Sequence, residues 1–239
     1  MHLDISDIVG DFPDFRVAAI VVEKLEIHSE RPPELAALIR AHEDACRERW
    51  GKTELGEIPG VAAWRRAYRA FGIKKTSYRS SVERLVKNVL AGRGLPEIND
   101  FVDAYNAVSL AHVMPAGADD LDHVAGNVRF RYSRLGDQFL DMALGGEPGV
   151  EVPDNDPPKE GEVVYADDEK LLCRRWNWRQ DRRSLVTPWT HRAIVTIQSN
   201  GAGDLDAAIA DFSALAGRFF GVDCMVAVAD RRRPVAEIG

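Results

Sequence analysis

The sequence contains no closely spaced pair of cysteines, no recognisable secretory signal and no long apolar run. Its three cysteines, Cys46, Cys173 and Cys224, lie far apart and include no Cys-x-x-Cys pair. That pattern predicts neither a disulfide framework nor a thiolate zinc site, and it suits a reducing cytoplasm. Residues 1–15, MHLDISDIVGDFPDF, carry acids where a secretory signal carries Lys or Arg. No apolar run approaches the roughly 20 residues of a membrane helix, so we expect a soluble, cytoplasmic protein.

Basic residues are outnumbered by acidic ones, with 31 Lys and Arg against 38 Asp and Glu. The formal net charge is -7 at pH 7 and the sequence pI is about 5.4. General nucleic-acid binding relies on clustered Lys and Arg that release counterions, so this balance argues against a protein that coats nucleic acid, and we expect no DNA partner. A local basic patch is compatible with it. The 239 residues, 45% of them hydrophobic, are long enough for one large domain or two small ones. We predict one domain over residues 1–239.

The order of periodic segments predicts an α+β fold. Residues 15–27 are rich in Val and Ile, as in a buried strand, and helical spacing follows in four segments. These are residues 32–50, 61–71, 80–92, with Ser80 or Ser81 as the cap, and 95–110, with Asn99 as the cap. Further strand patterns precede and follow a last helix at 203–220; they lie at 128–132, 161–167, 170–176, 192–199 and 225–229. We expect a mostly antiparallel sheet that contains the strands from 15–27 to 192–199, with a polar loop at 145–158.

Asn106 interrupts an apolar stripe on the fourth predicted helix. Ile98, Val102, Asn106 and Leu110 follow one another at intervals of four and therefore share a face. A buried amide without hydrogen-bond partners costs about 1 to 3 kcal/mol. Asn106 therefore either ties down a neighbouring loop or faces a ligand, and residue chemistry alone favours the tie.

The segment HVMPAGADDLDHVAGN, residues 112–127, mixes histidines and aspartates. It has neither the spacing of an EF-hand loop nor an accompanying HExxH motif. Since Asp and Gly cluster in turns for backbone reasons, we interpret the segment as a solvated turn. We predict no metal ion and no cofactor.

RRWNWRQD, residues 174–181, combines aromatic faces with guanidinium donors, which suits a nucleotide end or a carboxylate. In the alternative interpretation, Trp176 and Trp178 cap the core while Arg179 and Asp181 pair across the turn. Residue chemistry leaves the two open. A second basic stretch is interpreted as a solvated helix face; it comprises Arg65, Arg66, Arg69, Lys74, Lys75 and Arg79.

Several segments, in this order, resemble the stand-alone proteins built on the B3/B4 domain, the tRNA-binding and editing region of the bacterial phenylalanyl-tRNA synthetase β subunit. They are WRRAYRAFG, YRSSVERL, LPEINDFVDAYNAVSL, MPAGADDLD, GEVVYAD, LLCRRWNWRQ and TPWTHRAIVTI. The resemblance covers about residues 12 to 230. It implies a three-layer β/β/α domain whose central pocket, in the synthetase, hydrolyses tyrosine mischarged on phenylalanine tRNA. The chain has no room for the class II catalytic core, so the resemblance implies no tRNA ligase activity.

The resemblance also bears on individual residues. VDAYN at 102–106 matches the segment whose asparagine lines the editing pocket, which makes Asn106 an expected ligand contact. The synthetase's pocket histidine corresponds to about Gly117. Its glutamate, which recognises the tyrosine hydroxyl, falls near Leu185 or Val186, ahead of Thr190. A pocket without a polar partner for that hydroxyl cannot strongly favour a hydroxylated substrate.

The resemblance thus predicts a trans-acting aminoacyl-tRNA deacylase that meets the acceptor end of tRNA. Asn106 and Thr190 are the expected catalytic positions. Gly117 and four residues of RRWNWRQD are the expected binding positions, namely Trp176, Asn177, Trp178 and Arg179. The alternatives are a non-catalytic module that binds tRNA or an amino acid in the same pocket, favoured by the missing histidine, and a tRNA-docking protein that acts through partners.

Overall fold

The structure is a computed structural model and describes residues 1–74, 77–143 and 158–238. Within those residues the helices are α1 (Pro33–Trp50), α2 (Pro59–Ala70), α3 (Ser81–Leu90), α4 (Asp100–His112) and α5 (Leu205–Phe220). The strands are β1 (His2–Asp4), β2 (Phe15–Glu23), β3 (Ala116–Asp120), β4 (Val128–Tyr132), β5 (Val163–Ala166), β6 (Leu171–Arg174), β7 (Arg179–Gln180), β8 (Arg192–Asn200), β9 (Cys224–Ala229) and β10 (Val235–Glu237). Lys75 and all but the last residue of the predicted loop at 145–158 lie outside the described residues.

The strands form two sheets rather than the single sheet expected from periodicity. One sheet has the order β10-β1-β4-β5-β6-β7 and the other has the order β3-β8-β2-β9. Every strand pair is antiparallel except β1 with β4. Periodicity identifies a strand but not its partner, so β2 and β8 could not be separated in advance from β4, β5 and β6. The predicted α+β fold with mostly antiparallel sheets is confirmed.

Strand β2 explains the layering, because it is buried on both faces. Val17, Ala19 and Val21 belong to one apolar cluster, which also contains side chains of the six-stranded sheet and of α2 and α3. The alternate residues Ala18, Ile20 and Val22 belong to a second cluster, with α4 and α5. Successive side chains of a strand point to opposite faces. The four-stranded sheet therefore lies between the other sheet and the helices α4 and α5.

Local sequence explains where the helices near the cavity begin. Asn99 caps α4, its side-chain oxygen accepting a hydrogen bond from the backbone nitrogen of Val102 at 2.8 Å. Ser80 caps α3 in the same way, with the nitrogen of Glu83 at 3.4 Å. Both caps confirm the sequence prediction, since the signal is local. In the described ranges 1–74, 77–143 and 158–238, no helix is both long enough and apolar enough to span a membrane.

The interpretation of residues 112–127 as a solvated turn is wrong for Ala116–Asp120, which form strand β3. Its residues pair with β8 from Ala116↔Ile197 to Asp120↔Ala193. Asp119 and Asp120 are buried, at 4% and 6% exposure. Turn-forming residue types do not exclude a strand where a neighbouring strand supplies the hydrogen bonds.

Candidate functional site

A cavity of about 190 Å³ opens between α4, β3, β8 and the turn that joins β6 to β7. Five of the residues predicted from the sequence line it, namely Asn106, Gly117, Asn177, Trp178 and Arg179. Tertiary structure brings them together from three separate segments of the chain. The lining also includes groups that the sequence did not single out, above all Asp119 and Tyr165.

The Asn106 side chain lines this cavity. It is 8% exposed, and no residue in the described part of the chain forms a hydrogen bond with its amide. A structural tie would require such a bond, because an unsatisfied buried amide costs about 1 to 3 kcal/mol. The tie favoured by residue chemistry is therefore absent among the described residues, and the amide is available to a ligand.

The cavity lining contains three further polar groups that are buried and have no hydrogen-bond partner within the described ranges. They are Ser81 Oγ, Tyr165 OH and Trp178 Nε1, and no described residue satisfies them. Buried polar groups in proteins nearly always have partners. Together with Asn106, they give the cavity a set of hydrogen-bonding groups that a polar ligand can satisfy.

Asp119 places a carboxyl group at the same cavity. Its Oδ1 accepts hydrogen bonds from Gln180 Nε2 at 2.8 Å and from Ser184 Oγ at 2.7 Å. Burial raises the pKa of Asp119 to about 7, against 3.8 for an ordinary aspartate, because desolvation penalises the charged form more than these two hydrogen bonds favour it. The group can therefore gain or lose a proton near neutral pH.

Sequence reasoning missed Asp119, although a signal was present. Asp119 lies two residues after Gly117, so on a strand both point to the same face. Its backbone also bridges to Leu185, one of the two positions matched to the synthetase's glutamate. A carboxyl group thus lies beside that position, supplied by β3 and not by the segment at 185–186.

The floor of the cavity is a chain of paired polar side chains. Tyr68 donates its hydroxyl to Asn177 Oδ1 at 2.9 Å, and Asn177 Nδ2 donates to Gln198 Oε1 at 3.0 Å. Gln198 Nε2 in turn donates to Thr196 Oγ1 at 3.3 Å. Asn177 therefore has protein partners on both ends of its amide, unlike Asn106, and holds the β6–β7 turn against β8.

Trp178 forms an aromatic wall surrounded by cations. The guanidinium carbons of Arg175 and Arg179 lie 4.4 and 4.7 Å from its ring centroid. Arg179 Nη1 lies 3.0 and 3.1 Å from the two carboxylate oxygens of Asp141. The proposed pairing of Arg179 with Asp181 is therefore wrong, because Asp181 pairs with Arg183 at 2.8 Å.

Trp176 does not reach the cavity, which corrects its predicted place in the wall. It is fully buried and packs edge-on against Phe12, Phe15 and Trp64, with centroid distances of 4.7, 4.9 and 5.2 Å. The cause is the backbone, since Arg175 and Trp176 adopt positive φ angles of 45° and 66°. This left-handed pair of residues turns Trp176 into the core and leaves Trp178 at the cavity.

Thr190 also lies outside the cavity lining, which removes it from the expected catalytic positions. It is 1% exposed and donates its hydroxyl to Asp120 Oδ2 at 2.6 Å. Thr190 Oγ1 also accepts a hydrogen bond from the backbone nitrogen of Thr187 at 3.1 Å. These contacts give Thr190 a structural role, tying the segment before β8 to the end of β3.

The histidines and aspartates at 112–123 are held in separate pairs. His112 Nε2 lies 2.7 Å from Asp211 Oδ2, and His123 Nδ1 lies 3.5 Å from Asp120 Oδ2. Among the residues that the structure describes, no group of three or more His, Cys, Asp or Glu side chains is arranged to hold a metal ion.

Comparison with known proteins gives one family match and two similar proteins. A sequence model of the B3/4 domain family matches residues 63–202, more than half of the chain. The phenylalanine–tRNA ligase β subunit of Fusobacterium nucleatum subsp. nucleatum is 33% identical over 101 residues, which cover 42% of this chain and 11% of that protein. A solved N-terminal fragment of the phenylalanyl-tRNA synthetase β subunit from Pyrococcus horikoshii matches with 12% identity and a TM-score of 0.45, over 93% of this chain and 49% of that one. The chain thus spans about a tenth of the first relative and about half of the second.

Proposed function

The chain belongs to the B3/4 domain family, and on that premise we propose that its cavity holds the aminoacyl end of a mischarged tRNA and hydrolyses the ester. One observation carries the proposal. The amide of Asn106 and the titratable carboxyl of Asp119 line the same cavity as three other buried polar groups, and among the described residues neither that amide nor those three groups has a hydrogen-bond partner. A cavity built only for packing would leave none of these groups unsatisfied.

The proposed reaction needs a base for water and a donor for the ester carbonyl. Asp119 in its ionised form takes a proton from water, whose oxygen attacks the carbonyl carbon. The Asn106 amide donates a hydrogen bond to the carbonyl oxygen as negative charge develops on it. The bond between that carbon and the terminal ribose oxygen breaks, and the proton passes from Asp119 to the ribose oxygen. The products are a free amino acid and an uncharged tRNA.

The RNA end would meet an aromatic and cationic surface. Trp178 offers a ring on which a base can stack, a contact worth roughly 1 to 3 kcal/mol. Arg179 lies over the same ring, with its side chain 29% exposed. The negative net charge keeps affinity for nucleic acid in general low, so recognition depends on this local surface.

The decisive experiment is incubation of the pure protein with a panel of mischarged tRNAs, followed by measurement of amino-acid release. We expect turnover on at least one member at a rate above that of spontaneous hydrolysis. Saturable binding without release on any member would support instead the non-catalytic binding module. A lack of both binding and release would refute both the hydrolase hypothesis and the binding-module hypothesis.

Filling the cavity from Gly117 is expected to abolish binding of the aminoacyl end without unfolding the protein. A Cβ atom at Gly117 meets no atom within 4 Å, and a leucine there would occupy much of the cavity of about 190 Å³. The measurements are the melting temperature and the affinity for the mischarged tRNA that the native chain hydrolyses. We expect Gly117→Leu to change the melting temperature by no more than a few degrees and to weaken binding at least about tenfold, the loss of one well-packed contact.

Gly10→Leu is the matched control, because Gly10 is exposed and a Cβ atom there also meets nothing within 4 Å. It is expected to leave both quantities unchanged. Unaltered binding by Gly117→Leu would show that the aminoacyl group lies elsewhere.

A further inference from the structure

A second, smaller pocket lies between α2 and α3 and is strongly basic. Its volume is about 110 Å³, comparable to that of about four water molecules at roughly 30 Å³ each. Arg65 and Arg69 come from α2, Lys74 and Arg79 from the connection to α3, and Glu83 from α3 itself. We call this site the basic pocket. The sequence interpretation of these cations as a solvated helix face was therefore incomplete.

The charges of the basic pocket do not balance. Glu83 is buried and accepts hydrogen bonds from Arg65 at 2.7 and 3.2 Å and from Arg79 at 3.1 Å. One carboxylate thus holds two guanidinium groups in place. Arg69 and Lys74 are exposed, and no described residue forms an ion pair or hydrogen bond with either side chain. In the described part of the lining, four cations face one carboxylate, an excess of positive charge that an anion with more than one negative oxygen would neutralise.

The basic pocket shares a wall with the larger cavity. Tyr68 lines the basic pocket, and its hydroxyl donates to Asn177, which lines the cavity. Tyr78 lines the basic pocket and packs edge-on against Trp178 of the cavity, with centroids 5.0 Å apart. A chain with negative charges at regular intervals could therefore occupy both sites at once.

We propose that the basic pocket binds a phosphate group of the RNA strand whose end enters the cavity. The size of the pocket suits a single tetrahedral oxyanion, and guanidinium groups bind such oxygens in pairs. The assignment to RNA rests on the proposed function, whereas the affinity for phosphate rests on the charges alone. Binding at two adjoining sites would also position the ester in the cavity more closely than either site could alone.

The test compares Arg69→Glu with Arg66→Glu in the full chain. Both residues are exposed on α2, but Arg66 is not part of the basic pocket. The probe is a fluorescent RNA of about ten nucleotides with a free 3′ end, titrated at several salt concentrations. We expect Arg69→Glu to weaken binding at least about tenfold and to make the slope of log affinity against log salt shallower by about 0.7, the effect of one lost phosphate contact. Arg66→Glu should change affinity less than threefold.

Inorganic phosphate is the second probe and distinguishes a free anion from an RNA phosphate. We expect phosphate to compete with RNA on the native chain and on Arg66→Glu, but not on Arg69→Glu. Equal losses of RNA affinity in the two variants would overturn the proposal, as would the absence of binding by both probes. Phosphate binding that depends on Arg69, without any RNA binding, would overturn the RNA assignment.

The deacylation assay on the native chain separates this proposal from the proposed function. Loss of RNA affinity in Arg69→Glu, on a chain that hydrolyses no mischarged tRNA, would support the basic pocket while the hydrolase proposal fails. Deacylation by the native chain, with RNA affinity unchanged in Arg69→Glu, would overturn the basic pocket alone.

Discussion

Replacing Asp119 by asparagine is expected to stabilise the protein above pH 7 and to lower deacylation at least about 100-fold, the usual contribution of a general base. Asparagine has nearly the shape of aspartate and keeps a side-chain oxygen that can accept the hydrogen bonds of Gln180 and Ser184. It cannot take a proton from water. The variant therefore removes the proposed chemistry while it preserves the local structure, and it relieves the burial of a charge.

The pH dependence of this stabilisation follows from the pKa of Asp119. The folded value is about 7 and the ordinary value is 3.8, so between these limits the folded chain binds more protons than the unfolded chain. The contribution of Asp119 to the stability of the native protein therefore falls as pH rises from about 4 to about 7, and the loss is complete above that range. At about 1.4 kcal/mol per pKa unit the full effect is about 4 kcal/mol, which corresponds to roughly 8 to 16 °C in melting temperature.

Calorimetry of the native chain and Asp119→Asn at pH 5 and pH 8 would measure this effect. We expect a difference in melting temperature that is clearly larger at pH 8 than at pH 5, where little more than a third of the effect is present. Asp122→Asn, in an exposed residue that follows the same strand, is the control and should show no such change. Deacylation by the native chain should rise with pH through about 7, as Asp119 ionises. Full activity in Asp119→Asn, or the same difference in melting temperature at both pH values, would contradict the role given to this carboxyl group.

Replacing Asn106 by alanine is expected to lower deacylation roughly 100-fold, as does the loss of one donor to a developing oxyanion. The melting temperature should change little, because no described residue forms a hydrogen bond with the Asn106 side chain. The relevant measurements are the rate of amino-acid release from a mischarged tRNA and the calorimetric melting temperature.

Asn177→Ala is the matched control, since Asn177 lines the same cavity but bonds to Tyr68 and Gln198. Its loss leaves two buried partners unsatisfied, at about 1 to 3 kcal/mol each. We expect its melting temperature to fall by several degrees, at roughly 2 to 4 °C per kcal/mol. If instead Asn106→Ala melts many degrees lower yet keeps full deacylation when folded, Asn106 is a structural residue.

Local features were predictable from the sequence because their causes are local. The caps Asn99 and Ser80 hydrogen-bond within three residues along the chain. The strand at 128–132 and the last helix follow from the spacing of apolar side chains, which a single element determines by itself. Asn106 was identifiable for the same reason, as a polar residue in an apolar helical stripe. The single domain over residues 1–239 stays a prediction.

The amino-acid sequence by itself determined the fold class, the family and five positions of the cavity lining. Tertiary structure decided the chemistry at those positions. Trp176 and Trp178 are both tryptophans of RRWNWRQD, and only the left-handed backbone at Arg175 and Trp176 sends one to the core and the other to the cavity. The residue type of Asp119 favoured a turn, whereas in the structure its strand pairs with β8 and its side chain is buried. Residues distant in the chain determine how deeply Asp119 is buried, and that burial determines the pKa of its carboxyl group. Neither the burial nor the pKa could therefore be predicted from neighbouring residues.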